Sequence, residues 1–150
     1  MQFKQFFIAL CALTLIFSAC KKDEEPILAD VVGTWKAITG TATDCDDPTA
    51  EGTMDLTQSS CTINPDNCIE YDYNFKADGT FTQDVTFIVL GQDAGEIEVG
   101  TYTAISENEI EMCYGSLNCL TASLDENDRL TLSAPDEETG CQMTFILERN

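Results

Sequence analysis

Ile69-Glu70-Tyr71-Asp72-Tyr73-Asn74-Phe75-Lys76 alternates apolar and polar side chains without a break. Successive side chains of a strand fall on opposite faces, so this period of two reads as a strand with one buried face. The turn Lys76-Ala77-Asp78-Gly79-Thr80 comes next, and its Asp-Gly pair is a strong hairpin signal. Beyond it Phe81, Val85, Phe87 and Val89 carry the alternation on. Ile97, Val99 and Tyr102 mark a further strand, with an irregularity expected at Gly100. Ile110, Met112 and Tyr114 alternate with Glu109 and Glu111. Leu120, Ala122 and Leu124 come after them, then Leu130 and Leu132, then Met143, Phe145 and Leu147. With an opening strand through Val31, Gly33, Trp35 and Ala37, the count reaches about eight. No helical stripe of useful length interrupts them. Short connections make sequential strands antiparallel neighbours, and eight of them remove their exposed edges by closing. The expected fold is therefore all-β: an antiparallel up-and-down meander closed into a barrel.

Charge and composition narrow the function. The chain has 27 acidic and seven basic residues and no histidine. Lys4 is the one charged residue of 1–19, so the portion from Cys20 onward carries a net charge of −21. Such a surface is repelled by phosphate backbones and anionic headgroups, so no nucleic-acid partner is expected. Without histidine the commonest general base near neutral pH is missing. No Gly-x-Ser-x-Gly elbow, Ser-x-x-Lys pair or phosphate-binding glycine loop is present. An enzyme is not expected, nor a cofactor. The clusters Asp44-Cys45-Asp46-Asp47 and Asp125-Glu126-Asn127-Asp128 lack calcium-loop spacing, and the second reads as a hairpin turn between strands.

The N-terminus carries an address. Lys4 precedes an apolar run from Phe6 to Phe17, too short to span a bilayer, and Phe17-Ser18-Ala19-Cys20 closes it with small residues. This resembles the lipobox of bacterial lipoproteins, which implies cleavage after residue 19 and a lipid, palmitate included, on Cys20. The alternative is an ordinary signal peptide cut near Ala19. The run Lys21-Lys22-Asp23-Glu24-Glu25 resembles the charged export signal that some diderm, Gram-negative bacteria place after the lipidated cysteine; it also reads as a solvated linker. The implied organisation is a signal peptide over 1–19, a lipidated cysteine and charged tether over 20–30, and a single domain over 31–150. The implied location is the outer membrane, lipid-anchored, with the periplasmic or surface face open.

Six further cysteines remain, Cys45, Cys61, Cys68, Cys113, Cys119 and Cys141, in a compartment where disulfides persist. Six allow 15 pairings, and sequence alone does not choose among them. Cys113 and Cys119 flank a short turn-like stretch, Cys61 and Cys68 bracket a tight loop, and these two staples leave Cys45 for Cys141. No Cys-x-x-Cys pair argues for zinc, so no metal is expected.

Gly33-Thr34-Trp35, Phe75-Lys76-Ala77-Asp78-Gly79-Thr80-Phe81, Gly100-Thr101-Tyr102 and the closing Met143-Thr144-Phe145-Ile146-Leu147-Glu148-Arg149 together resemble the bacterial lipocalin-like lipoproteins. The resemblance implies a barrel closed at one end by Trp35 against Arg149, and a small hydrophobic or amphipathic ligand at the other. It also implies that the long connection from about 41 to 67, with a strand expected within Gly52–Thr57, lies over the mouth as a disulfide-pinned lid; a stapled surface excursion is the other reading. No C-terminal helix like that of larger lipocalins is evident. An eight-stranded barrel is either filled or holds one small ligand. Tyr71, Tyr73, Phe87, Tyr102 and Tyr114 are the candidate ligand contacts, because they are inward aromatics and a buried hydroxyl requires a partner. Gly91, Ala94, Gly95, Gly115 and Ser116 are the small residues expected near the mouth. A filled barrel contacting an envelope protein or glycan through its loops is the competing function.

Overall fold

The computed structural model describes residues 30–116, 118–137 and 139–150. The signal peptide expected over 1–19, Cys20 and the expected tether through residue 29 lie outside the described residues. The strands are β1 (Gly33–Thr43), β2 (Gly52–Asp55), β3 (Asn67–Phe75), β4 (Thr80–Val89), β5 (Gln92–Asp93), β6 (Glu96–Ala104), β7 (Glu109–Tyr114), β8 (Asn118–Leu124), β9 (Arg129–Asp136) and β10 (Cys141–Arg149). All pairings are antiparallel, and β1 pairs with both β3 and β10. The ring β1-β3-β4-β6-β7-β8-β9-β10 thus closes on itself as an eight-stranded barrel, with β2 and β5 as added short strands. This is the closed meander expected from the alternation.

Register explains which side chains fill it. Phe75 pairs with Phe81, and Phe81 with Gly100. A Cβ at Gly100 would stand 2.5 Å from both the Phe81 ring and the Cys113 carbonyl, so only glycine lets that ring lie flat against the wall. The expected irregularity there is absent: β6 pairs regularly with β4 through Gly100 and with β7 from Thr101 onward. Gly100 and Tyr102 fix the phase of β6. Ile97 and Val99 therefore face outward, 69% and 65% exposed, while Glu96 and Glu98 stand on the inner face.

One end of the barrel is solid. Val31, Trp35, Phe75, Phe81, Tyr102, Ile110, Met112, Leu130 and Leu147 are buried there, and Phe75 meets Tyr102 edge-on at 5.1 Å. Trp35 Nε1 donates to the Val31 carbonyl at 2.8 Å, which satisfies the one polar atom of the ring. Arg149 lies over Trp35, its guanidinium 4.3 Å from the ring centroid. Arg149 also donates to the carbonyls of Val32 and Asp30 and pairs with Asp128. Trp35 and Arg149, the two residues expected to close the barrel, are thus stacked at this end.

Three disulfides brace the structure: Cys45–Cys141, Cys61–Cys68 and Cys113–Cys119. The last joins directly opposed residues of β7 and β8. Cys45–Cys141 spans 96 residues and ties the end of β1 to the start of β10. The turn over residues 125–128 is the expected hairpin: Asp125 accepts from the amides of Arg129 and Asn127, the first foremost in holding its carboxyl below the usual carboxylate range.

Candidate functional site

The other end of the barrel differs, and a defect in β1 is the cause. Trp35 and Ala37 point inward, but the β1–β10 register slips between Ala37 and Thr39. The bulge reverses the alternation, so Gly40 and Ala42 face the interior in place of Thr39 and Thr41. Gly40 opposes Phe145. With no Cβ at Gly40, the Phe145 ring packs onto the β1 wall; an added methyl would sit 3.2 Å from it. Phe145 then meets Tyr71 at 5.1 Å, tilted by 47°.

The result is a cleft of about 300 Å3 at the mouth. Gly40 and Ala42 form its floor, and Ile69, Tyr71, Met143 and Phe145 its sides. The connection between β1 and β3 supplies the remaining wall. Lower β1 pairs with β3 through Gly33–Lys36, whereas upper β1 pairs with β2 through Thr39–Ala42. The segment is therefore an added strand along the barrel edge, and Met54 and Leu56 turn from it into the cleft. The strand expected within Gly52–Thr57 is present as Gly52–Asp55. Glu70 anchors the later part of this connection: its Oε1 accepts from Ser60 Oγ at 2.6 Å, the Cys61 amide at 3.0 Å and Lys36 Nζ at 2.7 Å. Burial alone would raise the Glu70 carboxyl, but these donors outweigh it and hold the group below its ordinary value.

Below the mouth runs a polar chain. The phenols of Tyr73 and Tyr114 lie close enough to act on each other, and the Tyr114 hydroxyl donates to Gln83 Oε1. Burial drives the Tyr73 phenol far above its ordinary value, with help from Tyr114, Tyr71 and Glu98. Burial likewise pushes Tyr114 up to about 12, opposed by the neighbouring Tyr73 hydroxyl and reinforced by Glu98. Tyr71 is raised by burial. A second, more polar cleft of about 440 Å3 lies beside Tyr114, bounded by Asn118, Leu120, Ala134 and Pro135.

The five candidate contacts thus divide. Tyr71 lines the first cleft and Tyr114 the second. Tyr73 is buried beneath them. Phe87 stands on the inner-facing row with Ile69, 41% exposed at the rim. Tyr102 does not belong with them: it is buried at the solid end, and its hydroxyl donates to the Lys76 carbonyl at 2.7 Å. Gly91, Ala94, Gly95, Gly115 and Ser116 occupy rim turns and do not line the first cleft. Gly40, Ala42, Met143 and Phe145 do, and strict alternation from Trp35 would have turned Gly40 and Ala42 outward. Glu111, Cys113 and Cys119 bring three ligand-type atoms together, but both sulfurs are committed to a disulfide.

These features define a closed eight-stranded antiparallel barrel with one filled end and one cleft-bearing mouth. No family model matches the chain, and no curated protein matches it. Among solved structures it is similar to lobster apocrustacyanin A1, at 14% identity and a TM-score of 0.42 over 85% of this chain. The chain spans 65% of that protein's length.

Proposed function

We propose that this chain is a non-catalytic binding protein that takes a small hydrophobic or amphipathic molecule into the mouth of its barrel, and that a lipid on Cys20 holds it to a bacterial outer membrane. The cleft over Gly40 and Ala42 carries the reading. Its volume of about 300 Å3 lies at the lower bound of small-molecule pockets, and its walls are mostly apolar with Tyr71 as a polar contact. The anchor rests on the lipobox-like Phe17-Ser18-Ala19-Cys20. Two or three acyl chains give stable attachment, which a domain of this charge cannot obtain from anionic headgroups. The Lys21–Glu25 run favours the cell surface as its final position.

Native mass spectrometry of protein purified from its own host tests the pocket. The expected result is a co-purified small molecule in the parent and its loss in Ala42→Trp, with Ala42→Leu as a milder filling variant. Empty protein in every preparation contradicts the pocket. Incorporation of labelled palmitate, abolished by Cys20→Ser, tests the anchor; label retained in that variant contradicts it. One observation favours a second reading, an envelope interaction module: Ile97 and Val99 form an exposed apolar strip on the outside of β6. Empty protein that captures a defined envelope partner, and loses it on Ile97→Ser with Val99→Ser, is the outcome that reading requires.

A further inference from the structure

The barrel is charged unevenly along its axis. Among the described residues the basic side chains are Lys36, Lys76, Arg129 and Arg149. Lys76 and Arg129 lie at the β3–β4 and β8–β9 turns, and Arg149 ends β10, all at the solid end. Lys36 is on the outside of lower β1, bound to Glu70. Among the described residues the mouth therefore has no cation, and β6 brings two carboxylates onto its inner face. Register places them: Tyr71, Val85 and Glu96 form one inner row across three strands, and Tyr73, Gln83 and Glu98 the next. Strands lie about 4.8 Å apart, so Glu96 is roughly 10 Å across the wall from the Tyr71 that lines the cleft. No ion pair among the described residues holds Glu96 or Glu98. The charge of Glu98 reaches both Tyr73 and Tyr114, which places it beside the phenol chain.

Both carboxylates are exposed at the rim, on the inner rows that register makes continuous with Tyr71, which lines the aromatic-sided cleft. A ligand with an apolar body and a positive head matches both: the body fills the space over Gly40 and Ala42, and the head reaches the row of Glu96 and Glu98. Aromatic rings and carboxylates together are the chemistry that recognises ammonium groups. The acidic surface around the mouth also raises the local concentration of cations.

We propose that the mouth selects organic cations, protonated or quaternary amines with an apolar body, and that Glu96 and Glu98 are the specificity-determining residues. This rests on the reading of the cleft as a ligand site. The test uses three probes with one tail: decyltrimethylammonium, decanol and decanoate, titrated by calorimetry into the folded domain. The ammonium probe is expected to bind about tenfold more tightly than decanol at low salt, and decanoate more weakly than decanol. Glu96→Gln with Glu98→Gln should erase the ammonium advantage and leave decanol unchanged. Glu107→Gln with Glu126→Gln, acids in the turns at the solid end, should leave the advantage intact. Ala42→Trp should weaken all three probes. Equal binding of the three probes overturns the proposal and leaves the cleft standing. An ammonium advantage lost equally in both glutamine pairs also overturns it, since overall charge then explains the effect. Failure of every probe to bind overturns the cleft and the proposal together.

Discussion

Tyr114 is the residue on which the interior turns. Its hydroxyl donates to Gln83 Oε1 and its phenol acts on that of Tyr73, so a single side chain brings β7, β4 and β3 together. A buried hydroxyl without partners costs about 1–3 kcal/mol, and the bond to Gln83 spares Tyr114 that cost. Burial is the leading cause that raises all four tyrosines above their ordinary value of 10.0, Tyr114 to about 12. The fold favours the neutral phenols, so the stability they contribute is fully present below pH 10 and is lost as pH rises through the folded values. Tyrosinate absorbance of the native protein should therefore show no transition at 10, and Tyr114→Phe should remove a component near 12. A native transition at 10 that accounts for most of the tyrosines contradicts the buried chain.

At the scale of the element, the connection between β1 and β3 does the most to shape the mouth. It adds β2 to the upper edge of β1 and is then pinned to the outside of β3 by Glu70 and by Cys61–Cys68. Glu70→Gln should lower stability by roughly 1–2 kcal/mol, a charge-assisted value discounted for a group that is partly exposed. Because its folded pKa is depressed, Glu70 contributes stability above the ordinary value of 4.5 and loses it as pH falls. The parent should thus outlast the Gln variant in chemical denaturation at neutral pH and converge with it in acid. A constant gap across that range refutes the assigned role. These elements also show what alternation can and cannot reveal. The rows Ile69–Phe75 and Phe81–Val89 were legible because polar and apolar residues trade places without interruption. The mouth was not. A one-residue bulge at Ala37/Thr39 carries no side-chain signal, yet it decides that Gly40 and Ala42 face inward. On β6 the outward Ile97 and Val99 suggest the wrong face, because the phase is set by the fit of Gly100 to Phe81 and not by hydrophobicity.

As a whole molecule, the barrel has two unlike ends. Trp35 under Arg149 seals one end, where large side chains leave no room, while small residues in β1 open a cleft at the other. The sealed end was readable from Gly33-Thr34-Trp35 and the closing Arg149, and the open end is a product of register alone. Amide chemical-shift mapping of the isotope-labelled domain, titrated with decanol as a neutral apolar probe, tests that division most directly. Saturable shifts are expected at Gly40, Ala42, Ile69, Tyr71, Met143 and Phe145, with Trp35, Phe81, Ile110 and Leu130 unmoved. Saturable shifts centred on the outward strip at Ile97 and Val99, or none anywhere, would contradict it.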